Sequence, residues 1–298
     1  MTKEDAVISE IMDLELEENQ SGFRTFLKRL FKNKGAVFGL TIIVALILCA
    51  IFAPWIAPYR YDTQSLADML QKPSATNLLG TDEFGRDVFS RIVYGSRISI
   101  QIGFIAVGLS LVVGTILGAI AGYYRGVADY IISAIIDIAW SFPVILLAIA
   151  IVATLGPSLV NVMIAVALVS WSGYARLVRG QFLSLREKEF VEAARILGMS
   201  DLRIILRHML PNALAPIIVM VTLELPKAII VESSLSFLGL GAQPPTPSWG
   251  YIISSGRSFL MEAPWIALAP GVMIMIVVLG FNLFGDALRD TLDPRLKD

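Results

Sequence analysis

Six apolar runs joined by polar links predict an all-α membrane protein with six transmembrane helices. Two further observations carry that fold class. Hydrophobic residues make up 56% of the 298-residue chain and charged residues only 16%, with a mean hydropathy of +0.71, outside the range of soluble domains. Lys and Arg are also unevenly shared, with 17 on one set of links and ends, six on the other, and one, Lys227, inside a run. Positive charge collects on the cytoplasmic side of membrane proteins, so the bias predicts that both termini are cytoplasmic.

Residues 1–34 begin with an acidic tail (Glu4, Asp5, Glu10, Asp13, Glu15, Glu17, Glu18) and end in a basic collar from Arg24 to Lys34. The first span, 35–57, follows this charged leader without a convincing small-residue cleavage site, which predicts a retained helix. Residues 58–97 are too polar to cross and are placed outside. Five more spans, at about 98–122, 131–153, 158–175, 213–238 and 266–285, form a domain over 98–286, ahead of a cytoplasmic tail at 287–298. The outer loop at 239–265 carries Gln243-Pro244-Pro245-Thr246-Pro247, read as a stiff extended piece.

Between the fourth and fifth spans lies a polar, basic element, 186–211, that composition alone does not explain. Phe190, Ala193, Ala194 and Leu197 share one helical face, and Glu192 and Arg195 stand at ion-pair spacing. Gly198 offers a helix stop with positive φ. Ser200 and Asp201 suit the start of a second helix, and Pro211 limits how far that helix continues. Two short cytoplasmic helices that dock a partner are the prediction.

Several constellations admit both a structural and a functional reading. Gly114, Gly118 and Gly122 recur every fourth residue and predict close helix packing. Asp137 sits in the third span with Asp129 eight residues earlier, and Glu224, Lys227 and Glu232 sit in the fifth. A charge at membrane depth costs roughly 2.5–3.5 kcal/mol on insertion scales, so each should face protein or water. Pairing between helices and lining of a pathway or gate are both open for these residues. Asp82, Glu83 and Asp87 cluster in the outer loop without the spacing of a calcium loop, and read as a solvated turn. The seven basic residues from Arg176 to Arg207 suit ordinary inside charge better than a dedicated lipid site, although membrane lipid surrounds the chain.

Whole classes of chemistry are excluded. One His and one Cys rule out a histidine metal cage and an internal disulfide, and no metal site is predicted. No phosphate-cradling G-x-x-x-x-G-K-[ST] run and no G-x-S-x-G elbow occurs, so no catalytic residue is assigned and no cofactor is expected on this chain. A net charge of −1 gives no sign of nucleic acid. A self-sufficient proton-coupled carrier stays open as an alternative, against the lack of an internal repeat.

Glu192-Ala193-Ala194, then Gly198, then Leu210-Pro211 resembles the EAA signature of bacterial ABC-importer permeases, with His208 where that signature has Ile. The variant is similar to the dipeptide/oligopeptide/nickel branch, as are LLGTDEFGRDVFSRIVYGSRISI (78–100), SLSFLGLGAQPPTPSWG (234–250) and GDALRDTLDPRL (285–296). The resemblance implies the type I ABC importer permease fold and a "C"-type subunit in the bacterial inner membrane. It further implies a homologous permease as heterodimer partner, two ATP-binding subunits using ATP and Mg, and an extracytoplasmic substrate-binding protein. Glu192, Ala193, Ala194, Gly198, His208, Leu210 and Pro211 would then belong to a cytoplasmic coupling helix. Di- or oligopeptides are the expected cargo, with nickel or glutathione as alternatives in the same branch.

Overall fold

The computed structural model describes residue 24 and residues 26–292, so the acidic tail and the 293–298 end, with their share of the charge count, lie outside the described residues. The helices that position the site are α1 (Lys34–Ile51), α2 (Val88–Tyr124), α3 (Gly126–Trp140), α4 (Val144–Leu155), α5 (Leu159–Arg186), α6 (Glu189–Ile196), α7 (Asp201–Phe237), α8 (Trp249–Gly256) and α9 (Trp265–Leu292). Five of them, α1, α2, α5, α7 and α9, are long and apolar enough to cross a membrane, and α3 with α4 adds a sixth span if taken together. The six-span expectation therefore holds with one change. The third span is not a continuous rod but breaks by 92° at Ser141-Phe142-Pro143. Pro143 precedes the first residue of α4 and cannot donate the hydrogen bond that would continue α3.

Helix ends follow local chemistry. The Asn33 carboxamide oxygen caps α1 by accepting from the Gly35 and Ala36 amides. Asp87 caps α2 through the Ser90 amide at 2.7 Å. α2 starts ten residues before the expected span, and its 37 residues are longer than the hydrocarbon core requires. α2 and α5 form the most extensive pairing in the bundle. Cβ atoms built at Gly114, Gly118 and Gly122 would each come within 2.5 Å of α5 atoms, so these positions admit only glycine at this spacing.

The loop before α2 differs from the predicted solvated turn. Asp82, Arg86, Asp87 and Arg91 are buried. The Asp82 carboxylate accepts from Arg86 Nε at 2.7 Å, Arg91 Nη1 at 3.0 Å, and the Phe84 and Arg86 amides at 2.9 Å each. Trp265 of α9 donates to the Thr81 carbonyl at 3.2 Å and Trp249 of α8 to the Ile92 carbonyl at 3.0 Å. The loop is thereby clamped as a cap over one end of the bundle. Charge in the sequence suggested exposure, but a carboxylate with four donors can be buried. The Gln243–Pro247 piece forms turns and includes a cis Pro244–Pro245 bond.

Candidate functional site: a set-apart helix and a charged wall

At the bundle end opposite the cap, α6 stands on the seam between α5 and α7. Its inner stripe is Val191 and Ala194, packed with Val178, Phe182, Ile204 and Met209. The expected shared face of Phe190, Ala193, Ala194 and Leu197 is therefore split. Ala194 turns inward, while Phe190, Ala193 and Leu197 face out with Ile196 and Leu202. The slim Val191–Ala194 stripe lets the short helix approach the seam, which Phe190 would hold off. Glu192 is exposed on the outer side and makes no ion pair with Arg195 among the described residues.

Gly198 closes α6 at φ +73°, with its amide bonded to the Arg195 carbonyl and the Met199 amide to the Ala194 carbonyl. This is the Schellman arrangement, and open space around Gly198 shows that backbone conformation, not crowding, requires glycine. The chain then departs from expectation twice. Ser200 makes no side-chain cap, and Asp201 instead accepts from the Tyr123 hydroxyl at 2.7 Å. Nor does Pro211 end the second helix, because a π turn over Ile204–Met209 leads straight into the rest of α7. The widened turn absorbs the donor that Pro211 lacks, and Asn212 Nδ2 bonds the His208 carbonyl at 2.7 Å. His208 is half-buried, Leu210 likewise, and Pro211 is exposed.

Tyr123, at the end of α2, is the tie that sequence reading missed. Its hydroxyl holds Asp201, its ring lies 5.3 Å from the Arg195 guanidinium, and its carbonyl accepts from Arg186. Arg125 also pairs with Glu187 at 2.6 Å. Much of the basic run from Arg176 to Arg207 is thus engaged by protein. The element is tied to α2 through polar bonds at its base and runs into α7 through the π turn.

Within the bundle, α3, α5 and α7 form a wall carrying three ion pairs. Asp137 of α3 meets Arg176 of α5 at 2.5 Å, and the Arg176 guanidinium stacks 3.9 Å from the Trp140 ring. Trp140 in turn donates to Ser172 Oγ at 3.0 Å, and Asp129 pairs with Arg179 one level closer to α6. Glu224 and Lys227 of α7 pair at 2.7 Å. These last two residues line both a cavity of about 210 Å³, shared with Trp140 and Ser172, and one of about 660 Å³ that follows α7 down to Asn212. Glu232 does not join them. It is buried near α8, accepting from Ser236 Oγ at 2.6 Å and Ser233 Oγ at 3.4 Å. Trp140 and Arg176 carried no separate signal in the sequence, since their significance depends on which helices meet.

The described residues hold no group of three or more His, Cys, Asp or Glu placed to take a metal. One end of the bundle thus offers an uncovered helix face, and the middle offers charge along cavities.

Comparison with known proteins agrees in fold and family. Residues 114–298 match the family of binding-protein-dependent transport system inner membrane components, and 21–73 match the N-terminal transmembrane domain of oligopeptide transport permease C. The chain is 54% identical over 277 residues to the dipeptide transport system permease protein DppC of Alkalihalophilus pseudofirmus, covering 93% of this chain and 91% of that protein. It is 43% identical to the di/tripeptide permease DppC of Pseudomonas aeruginosa over 93% of this chain and 94% of that one. It is 44% identical to the glutathione permease GsiD of Pectobacterium atrosepticum over 92% of each. The solved inward-facing methionine ABC transporter MetNI superposes with a TM-score of 0.58 at 19% identity, over 69% of this chain and 98% of that one, which shows the type I importer permease fold. A helical bundle with a set-apart polar helix and these matches across its length together place the chain in the family of binding-protein-dependent transport system inner membrane components, as a multi-pass permease.

Proposed function

We propose that this chain is the "C"-type permease subunit of an ATP-driven importer of di- and oligopeptides in the bacterial inner membrane, with both termini cytoplasmic. It pairs with a homologous permease to enclose the pathway. Two separate subunits hydrolyse ATP with Mg, and an extracytoplasmic binding protein delivers cargo to the capped end. The observation that carries this reading is α6, whose inner stripe is packed while Glu192, Ile196, Leu197 and Leu202 stay uncovered at the end of a long rod. A partner seated there pushes directly on α2 through Tyr123 and on α7 through the π turn. Glu192, Ala193 and Gly198 thus set the docking face and its bend, Ala194 anchors the helix, and His208, Leu210 and Pro211 join it to α7. Identity to peptide permeases favours peptide over nickel or glutathione as cargo.

The test uses the complete complex in proteoliposomes with its binding protein and ATPases. Glu192→Lys and Gly198→Pro should insert and assemble normally while ATP-dependent dipeptide uptake falls to background. Uptake at the wild-type rate in both variants would overturn the coupling assignment.

A further inference from the structure

Resting on the reading of this chain as a peptide permease, we infer that the wall formed by α3, α5 and α7 recognises the opposite charges carried by a peptide in transit, Lys227 taking carboxylates and Asp137 taking ammonium groups, whether of the termini or of side chains. Of the wall's three ion pairs, Asp129–Arg179 has neither member largely open, and the other two differ in how they are presented. In the Glu224–Lys227 pair the carboxylate is 14% exposed and the lysine 65%, so an approaching ligand meets the ammonium. In the Asp137–Arg176 pair the order is reversed: the carboxylate is 68% exposed and the arginine 45%. Arg176 is moreover occupied on one face by the Trp140 ring. The wall therefore offers one cation and one anion outward, each backed by its own counter-ion.

Backing matters energetically. A lone charge at membrane depth is costly, but a pair lowers that cost and leaves unused capacity on the outward member. Lys227 has three N–H donors and spends one on Glu224. Asp137 holds Arg176 through Oδ1, and no side chain bonds its Oδ2 among the described residues. Trp140 connects the two presentations, because it carries Arg176 on its face and lines the same cavity as Lys227. Glu224 and Lys227 line both that cavity and the larger one, and Asp137 with Arg176 lines a third of about 390 Å³. A peptide backbone has one free carboxylate and one free ammonium, which is the complementary charge set. If Asp137–Arg176 served only to hold α3 to α5, both members would be expected to be withdrawn, as they are in the cap.

The experiment compares uptake of Ala-Glu and Ala-Lys by the whole complex in proteoliposomes, using the same wild-type binding protein throughout, so that its own preference cancels in the ratio. Lys227→Glu should lower the Ala-Glu to Ala-Lys uptake ratio about tenfold, and Asp137→Lys should raise it by about as much, from like-charge repulsion in the pathway. Lys227→Arg should leave the ratio unchanged. Lys227→Gln and Asp137→Asn, which keep side-chain size and carry less risk of misassembly, should shift it in the same directions by smaller factors. An unchanged ratio in both neutral variants overturns the inference, whatever the inverted variants do. If the wild-type complex imports neither dipeptide although its binding protein and ATPases are active, the peptide reading itself has failed instead.

Discussion

Two ionic clusters in this molecule use similar residues to opposite ends. In the cap, Asp82 is surrounded by Arg86, Arg91 and two amides, and the group is buried. In the wall, Asp137–Arg176 and Glu224–Lys227 are each a single pair with one member largely open. In the cap the Asp82 carboxylate is filled by four donors, although Arg91 Nε and Nη2 bond to nothing among the described residues, whereas an open charge keeps bonding capacity for something that arrives later. The first kind fixes a shape and the second meets a ligand. Both lie in helices or loops that composition alone would have called simply polar or apolar.

The sharpest way to break this distinction is to remove one charge from each cluster. Asp82→Asn leaves Arg91 buried with no carboxylate partner among the described residues, and Arg86 with Glu83 alone. Loss of one member of a buried pair costs about 3–5 kcal/mol, so the purified complex should melt at a clearly lower temperature or fail to accumulate. Asp137→Asn should behave differently. Its partner stays half-exposed and stacked on Trp140, so the stability cost should be about 0–1 kcal/mol, within the range for open ion pairs. Thermal unfolding of the two variants side by side settles the contrast, and equal losses would mean that the wall is as structural as the cap.

How far the sequence reaches follows the same division. Helix existence was legible because apolar runs of membrane length admit few other folds, and the α6 element was legible because its polarity had no other explanation there. The glycine spacing at 114, 118 and 122 announced a close contact, but that the contact is α5 required the fold. The break at Pro143 was readable in principle, since a proline three residues after Trp140 interrupts the third span. What could not be read was depth and neighbour. Asp82 and Asp137 are both carboxylates flanked by breakers or apolar residues, and only the packing of α8 and α9 around one and the meeting of α3 with α5 at the other tells them apart. Tyr123 is the clearest case. An aromatic at a predicted helix end reads as an interface residue, and its bond to Asp201, 78 positions later, is invisible without the structure.

The smallest expected effect lies at the edge of the cap and tests how complete its pairing is. Glu83 accepts from Arg86 Nη2 at 3.2 Å, yet burial and then the neighbouring Asp82 charge push its carboxyl above the usual carboxylate range. The folded state therefore holds this proton more tightly than the unfolded chain does. Its favourable contribution is fully present below the ordinary glutamate pKa and is lost as pH rises through the raised value. At neutral pH the ionised Glu83 consequently weighs slightly against the native cap. Glu83→Gln removes that charge and keeps an oxygen for Arg86, so the melting temperature at pH 7 should rise slightly, with the gain shrinking as the medium is acidified into the carboxylate range. A fall at pH 7 would mean that Arg86 depends on the Glu83 charge, and that the closed set of partners extends one residue beyond Asp82.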